Sequence, residues 1–234
     1  MAISSRVGRP RAEGFTIVEM SVVLVVIALI IGAVTIGRDV FRSASGERIA
    51  SRFVQGWALA YDNYVANVGA VPGDNVTNPI GEVNGAIQSA LCSDQLRTQM
   101  LQRGIAMPDG RAETAQDSYV YQDAHGLPHN LQVCFINIVW SEPGASINSY
   151  VTKQRNVMRL TGVTPELATQ LDQQIDGHVD ARFGRFREDG QQASTAIDGV
   201  EYSRTNDDAI NGGSGSGSND SQVAELTVYL KMTQ

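Results

Sequence analysis

Apolar and polar positions alternate in character along this chain, and the sharpest contrast lies near its start. No charged residue falls between Met20 and Gly37, and most positions there are Val, Ile, Leu or Ala. Such a run predicts one helix about long enough to cross a bilayer core of roughly 30 Å. Arg6, Arg9 and Arg11 precede it, and the positive-inside rule leaves them in the cytoplasm with everything after Arg38 outside. Beyond the run the pattern becomes amphipathic. Ile49, Phe53, Trp57, Ala60, Tyr64 and Val68 recur every three or four residues, which predicts that the same helix continues and packs on a soluble domain. From Phe15 to Val68 such a helix reaches roughly 80 Å at about 1.5 Å per residue. Gly69, followed by Val71-Pro72-Gly73-Asp74, ends it with a C-terminal glycine and a turn. Gly32, Gly37, Gly46 and Gly56 interrupt the helix at about 1 kcal/mol each relative to alanine, and read as sites of close packing or mild curvature.

The remaining pattern is that of an α/β (α+β) head. Ile87, Leu91, Leu96 and Met100 predict one or two short helices, with Ser93 or Asp94 available to cap the second. Tyr119-Val120-Tyr121 and Leu131 to Trp140, rich in aromatic and β-branched residues, predict strands. Thr164-Pro165-Glu166 is a helix start, Leu167, Leu171 and Ile175 its apolar face and Gly177 its stop. The last segment alternates Leu226, Val228, Leu230 and Met232 against Thr227, Tyr229 and Lys231, a half-buried strand.

Charge and cysteines refine this picture. The net charge is −7, but residues 1–14 hold three arginines and only Glu13 as an acid, so the rest of the chain stands near −9 by subtraction. An acidic body argues against nucleic acid, whose binding needs basic surface. Arg182-Phe183-Gly184-Arg185-Phe186-Arg187 interleaves cations and aromatics in a way that suits single-stranded bases, yet Glu188 and Asp189 follow at once, so DNA is not expected as a partner. Cys92 and Cys134 fall in the part placed outside the cytoplasm, where a disulfide is favoured over two buried thiols.

Candidate chemistry in the head is sparse. His125 and His129 are four apart, but Gly126 and Pro128 keep them off one helical face, which suits a turn with exposed histidines better than zinc. The Gly212 to Ser218 tract is a flexible loop, flanked by Asp207, Asp208 and Asp220, whose oxygens are candidate Ca²⁺ ligands. A solvated acidic loop explains them as well.

Glu19 is the one residue that a plain membrane anchor leaves unexplained. A carboxylate in hydrocarbon costs roughly 2.5–3.5 kcal/mol, so such groups have partners and functions. A Sec cleavage site at Ser43-Ala44-Ser45 is separated from the apolar run by Arg38, Asp39 and Arg42. The segment Gly14-Phe15-Thr16-Ile17-Val18-Glu19-Met20, followed by Ser21 to Ile27, resembles the cleavage and methylation segment of type IV prepilins and type II secretion pseudopilins. That resemblance implies cleavage between Gly14 and Phe15 by a prepilin peptidase, methylation of the new Phe15 amine, and pairing of Glu19 with the N-terminal amine of a neighbouring subunit. In pilins part of the helix loosens on assembly, which makes Gly37 or Gly46 a candidate hinge by analogy. Leu171 to Gly177, with Gly184 and Arg187, is similar in part to an Asp-x-x-x-Asp-Asp-Gly segment of some pilin-like proteins.

The resulting expectations are a leader at 1–14, a transmembrane and filament-core half-helix at 15–37, an amphipathic half at 38–70 and a head at 71–234. The head carries a small antiparallel sheet. The resemblance implies a non-enzymatic subunit held in the inner membrane with its head in the periplasm, then built into a periplasmic or extracellular filament. Its implied partners are the peptidase and methyltransferase, other pilin subunits and, indirectly, an assembly ATPase and platform. The alternative is a periplasmic binding protein or enzyme on an uncleaved signal anchor.

Overall fold

The computed structural model describes residues 15–110, 115–123, 126–203 and 225–233, with backbone alone at 38, 39, 41 and 42. The chain divides into two units, Met1–Phe41 and Arg42–Gln234. In the first, α1 (Ile17–Arg48) begins and runs through Gly32 and Gly37 without a break. Its span Ile17–Gly37 is long and apolar enough to cross a membrane. Every side chain of that span stands exposed, Ile17 at 89%, a surface that water does not tolerate and lipid or other helices do.

In the second unit the helix does not stay α-helical to Val68, as the sequence pattern predicts. A π-helical segment, Ile49–Val54, separates α1 from α2 (Gln55–Val68). The stripe explains it. Ile49, Phe53, Trp57 and Tyr61 are each four residues apart and each buried, and in a regular α-helix every four-residue step overshoots by about 40°. One wider turn cancels most of that drift and keeps the aromatics on one face. Gly69 closes α2 in a left-handed conformation (φ 76°) and donates its N–H to the Val65 carbonyl at 2.9 Å, the geometry that makes glycine the preferred residue there.

Among the described residues six strands form one antiparallel sheet: β1 (Leu91–Cys92), β2 (Ser118–Gln122), β3 (Pro128–Pro143), β4 (Tyr150–Val163), β5 (Phe186–Glu188) and β6 (Leu226–Lys231). The order is β1-β3-β4-β6-β5, and β2 pairs with β3 on the same edge as β1. One face carries Leu131, Val133 and Phe135 against Phe53, Trp57 and Tyr61 of the helix, with Trp57 and Tyr61 rings 6.2 and 5.0 Å from Phe135. The opposite face holds a smaller cluster of Ile136, Ile138, Trp140, Val157 and Tyr229. The β6 strand is therefore not half-buried in the expected way, because Tyr229 is buried behind the sheet while Leu226, Val228 and Leu230 are buried in front.

Two helices complete the head. In α3 (Ser93–Gln102) Leu96 and Met100 are buried, but Leu91 belongs to β1 and Ile87 is exposed. The expected Ser93 or Asp94 cap is absent from this helix start. Cys92 occupies the capping position, and the Ser93 hydroxyl instead accepts from Gln132 at 2.9 Å. In α4 (Pro165–Ile175) Thr164 caps as expected, its hydroxyl accepting from Leu167 N–H at 3.4 Å, with Pro165 at the first position.

Candidate processing and assembly site

The N-terminal end of α1 begins at a hydroxyl cap. Thr16 Oγ1 accepts from the Glu19 backbone N–H at 3.2 Å, and the Thr16 carbonyl accepts from Met20 N–H. Thr16-Ile17-Val18-Glu19 thus has the spacing of a capping box, a signal present in the sequence alongside the charge of Glu19 at the head of the apolar run. Glu19 lies in the first turn, where an acid complements the positive end of the helix. Phe15, 75% exposed, directly precedes the cap. Gly14 lies outside the described residues. Within the apolar span Ser21 and Thr35 return their hydroxyls to the carbonyls of Val18 and Ile31 at 2.7 and 3.0 Å, so neither leaves a bare donor in lipid.

The cysteines are joined, Cys92 to Cys134, closing 42 residues between β1 and β3. They are also direct partners in the β1–β3 ladder, and Arg159 Nη2 reaches both sulfurs at 3.6 and 3.5 Å.

His129 departs from the exposed turn expected of it. It is buried on β3, with Nδ1 2.7 Å from Glu225 Oε1 and Nε2 3.1 Å from Asp123 Oδ2. Burial lowers its pKa, but the two carboxylates outweigh burial and hold it above the ordinary value. His125 lies outside the described residues, as do Asp207, Asp208, Asp220 and the glycine-serine tract. Among the described residues no group of three metal-ligating side chains comes together.

The arginine-aromatic stretch does not form one basic face. Phe186 and Arg187 are buried, and the Arg187 guanidinium stacks 4.3 Å over Trp140 and donates to Ser141 O and Oγ. Arg182 is held by Gln191 and by the Asp198 carbonyl.

The aspartates of the Leu171 to Asp180 segment organise the backbone around it. Asp176 Oδ2 accepts from Arg185 and Phe186 N–H, and Asp180 Oδ1 accepts from Arg182 N–H. Asp172 is fully buried. Its Oδ2 accepts from Asp180 N–H at 2.7 Å, while Oδ1 and the neighbouring Tyr202 hydroxyl make no hydrogen bond of normal geometry. Burial, reinforced by Asp176, pushes the Asp172 carboxyl up to about 7. A proton held more tightly in the folded state stabilises fully below the ordinary carboxyl range, near 4. That contribution is lost as pH rises towards 7. Asp172→Asn keeps the acceptor and cannot ionise, so it should stabilise the protein at pH 8 by on the order of 2 kcal/mol and by much less at pH 4. Denaturant unfolding at both pH values checks this; equal destabilisation at both would contradict it.

A family model, the prokaryotic N-terminal methylation motif, matches residues 9–35. The chain carries a prepilin-type signal. That signal supports a type IV pilin-like or pseudopilin precursor. The match spans Gly14, Phe15, Thr16 and Glu19 together with most of the apolar run, and it ends before the head. No curated protein and no solved structure matches the chain. Its long apolar helix and small antiparallel sheet have a pilin-like α+β layout.

Proposed function

We propose that this precursor is cleaved between Gly14 and Phe15, methylated on the new Phe15 amine and built into a type IV pilus-like or type II secretion pseudopilus filament. The observation that carries the reading is the methylation motif at residues 9–35, set on a helix whose apolar span Ile17–Gly37 is exposed throughout. Assembly buries those side chains, first in the inner membrane and then between subunits, and each Val, Leu or Ile so covered contributes about 1.5–3 kcal/mol when it leaves water.

Cleavage gives each subunit one cationic amine four residues before Glu19. Pairing that amine with Glu19 of a neighbour satisfies both charges, and a shifted register leaves both unpaired, so the pair selects register. The role is structural rather than catalytic. The head, outside the cytoplasm, is stiffened by its disulfide. Processing is tested at the mature N-terminus, which should be methylated Phe15.

A further inference from the structure

The head carries a knob and a groove at opposite ends. The knob is the tip of the β3–β4 hairpin, where Ile147 is 95% exposed, more than any other large apolar side chain described in the head. The turn is held in shape by Gly144 N–H donating to the Ser149 carbonyl at 2.7 Å and by the Ser149 hydroxyl donating to the Ser146 carbonyl. Its residues, Gly144 to Ser149, carry no charge.

The groove, about 700 Å³, lies between the helix and the segment 106–110, and its lining includes Arg48, Arg52, Leu59, Met107, Asp109 and Tyr119. Leu59 is 61% exposed. The groove is continuous with α1, since Arg48 is that helix's last residue. The helix thus presents an apolar run for assembly and then one wall of the groove.

The strand register sets the distance between them. Tyr119 pairs with Leu131, and β3 then runs to Pro143 opposite Tyr150, up to about 40 Å at roughly 3.4 Å per residue. The helix climbs in the same direction, with Phe53 on Tyr119 and Tyr61 on Phe135. One head therefore cannot fill its own groove. A knob at one end and a groove at the other make a heterologous contact, which extends into an open line rather than closing as a dimer.

We propose that the hairpin tip of one subunit, led by Ile147, seats in the Leu59–Tyr119 groove of a second copy of this chain. The inference rests on the filament reading above. The tip brings no charge of its own into the groove, the Arg48 and Arg52 guanidinium groups offer donors to the carbonyls of the turn, and the Asp109 carboxylate offers an acceptor to its N–H and hydroxyl groups. A single turn covers far less than the roughly 1,200 Å² of a stable pair, so detergent-held subunits should stay apart. The contact acts once helix packing has brought heads together at high effective concentration.

The test places a photo-crosslinking p-benzoylphenylalanine at position 147 of the full chain in its native host. Adducts in sheared filaments should map to peptides 48–59 or 106–110 of another copy. Adducts elsewhere, on lipid or on a different protein, overturn the docking. Filaments lacking this chain altogether, with the unaltered sequence, sink the filament reading and the docking with it. As a second measurement, Ile147→Asp should lower filament yield about tenfold with processing intact. Ile197→Asp, at another exposed isoleucine of the head, 54% open, should leave the yield unchanged. Normal yield from Ile147→Asp overturns the proposal.

Discussion

Replacing Glu19 with alanine should leave the leader removed and the head folded while the chain all but vanishes from filaments. In the proposed processing the bond cut is that between Gly14 and Phe15, whereas Glu19 lies four residues beyond Phe15. Loss of one member of a buried charge pair costs about 3–5 kcal/mol, because the other is left unpaired. A filament repeats that cost at every subunit, so a fall in yield well beyond about tenfold is expected. The geometry supplies a competing explanation that a second variant separates. Glu19 sits at the third helical position after the Thr16 cap, a place where glutamine serves nearly as well as glutamate. If Glu19 acts only in starting the helix, Glu19→Gln should assemble normally. If it acts through charge, Glu19→Gln should fail like Glu19→Ala. Normal yield and methylation from both variants would remove Glu19 from assembly altogether.

Loss of the Cys92–Cys134 bridge should produce the largest stability change in the head. Closing a loop of 42 residues contributes about 4 kcal/mol in the chain-entropy model. The bridge reinforces a short pairing, since β1 is two residues long and makes only two ladder pairs, Leu91 with Phe135 and Cys92 with Cys134, while α3 behind it is held by Leu96 and Met100 in the core. The exposed Ile87 adds no anchor. Cys92→Ala with Cys134→Ala in the full chain in detergent should lower the melting temperature by roughly 10 °C. Loosening should begin at residues 86–105, visible as early amide exchange there while β3 and β4 stay protected. Unchanged melting on double substitution or on reduction would contradict this.

What the sequence made legible was whatever a single helix or a single strand determines by itself. The apolar run, the aromatic stripe ending at Gly69 and the Thr164-Pro165 helix start were all readable, because each depends on neighbours within a few residues. What escaped depended on distant partners. The strand β4 was not foreseen, since Lys153, Gln154, Arg155 and Asn156 give its first half a polar look. In the fold, Arg155 and Lys153 share Glu142 of β3, with Arg155 Nε and Nη2 at 2.7 and 2.8 Å, and Asn156 bonds Asn137 and the Gly81 carbonyl. The bulge at Gly162 (φ 75°) was equally silent, although a side chain there would meet the Asn130 carbonyl oxygen at 2.2 Å. His129 looked like a turn residue because its partner Glu225 is nearly a hundred positions away. Thr16 is a different case: its three-residue spacing to Glu19 is local, and the cap it forms is legible in the sequence.

The disulfide and the helix stripe also locate what the N-terminal motif leaves open. The motif accounts for residues 9–35 and ends before the head, whose most exposed large apolar side chain among those described is Ile147 at the hairpin tip. Buried polar groups such as Asp172 and His129 act within the head and tune its stability with pH.

The most direct test of the account is the intact mass and N-terminal sequence of the protein recovered from membranes and sheared filaments of its native host. The account predicts a chain beginning at Phe15 and carrying one methyl group on its amine. A chain that keeps residues 1–14, in cells whose prepilin peptidase is active on other substrates, would contradict it.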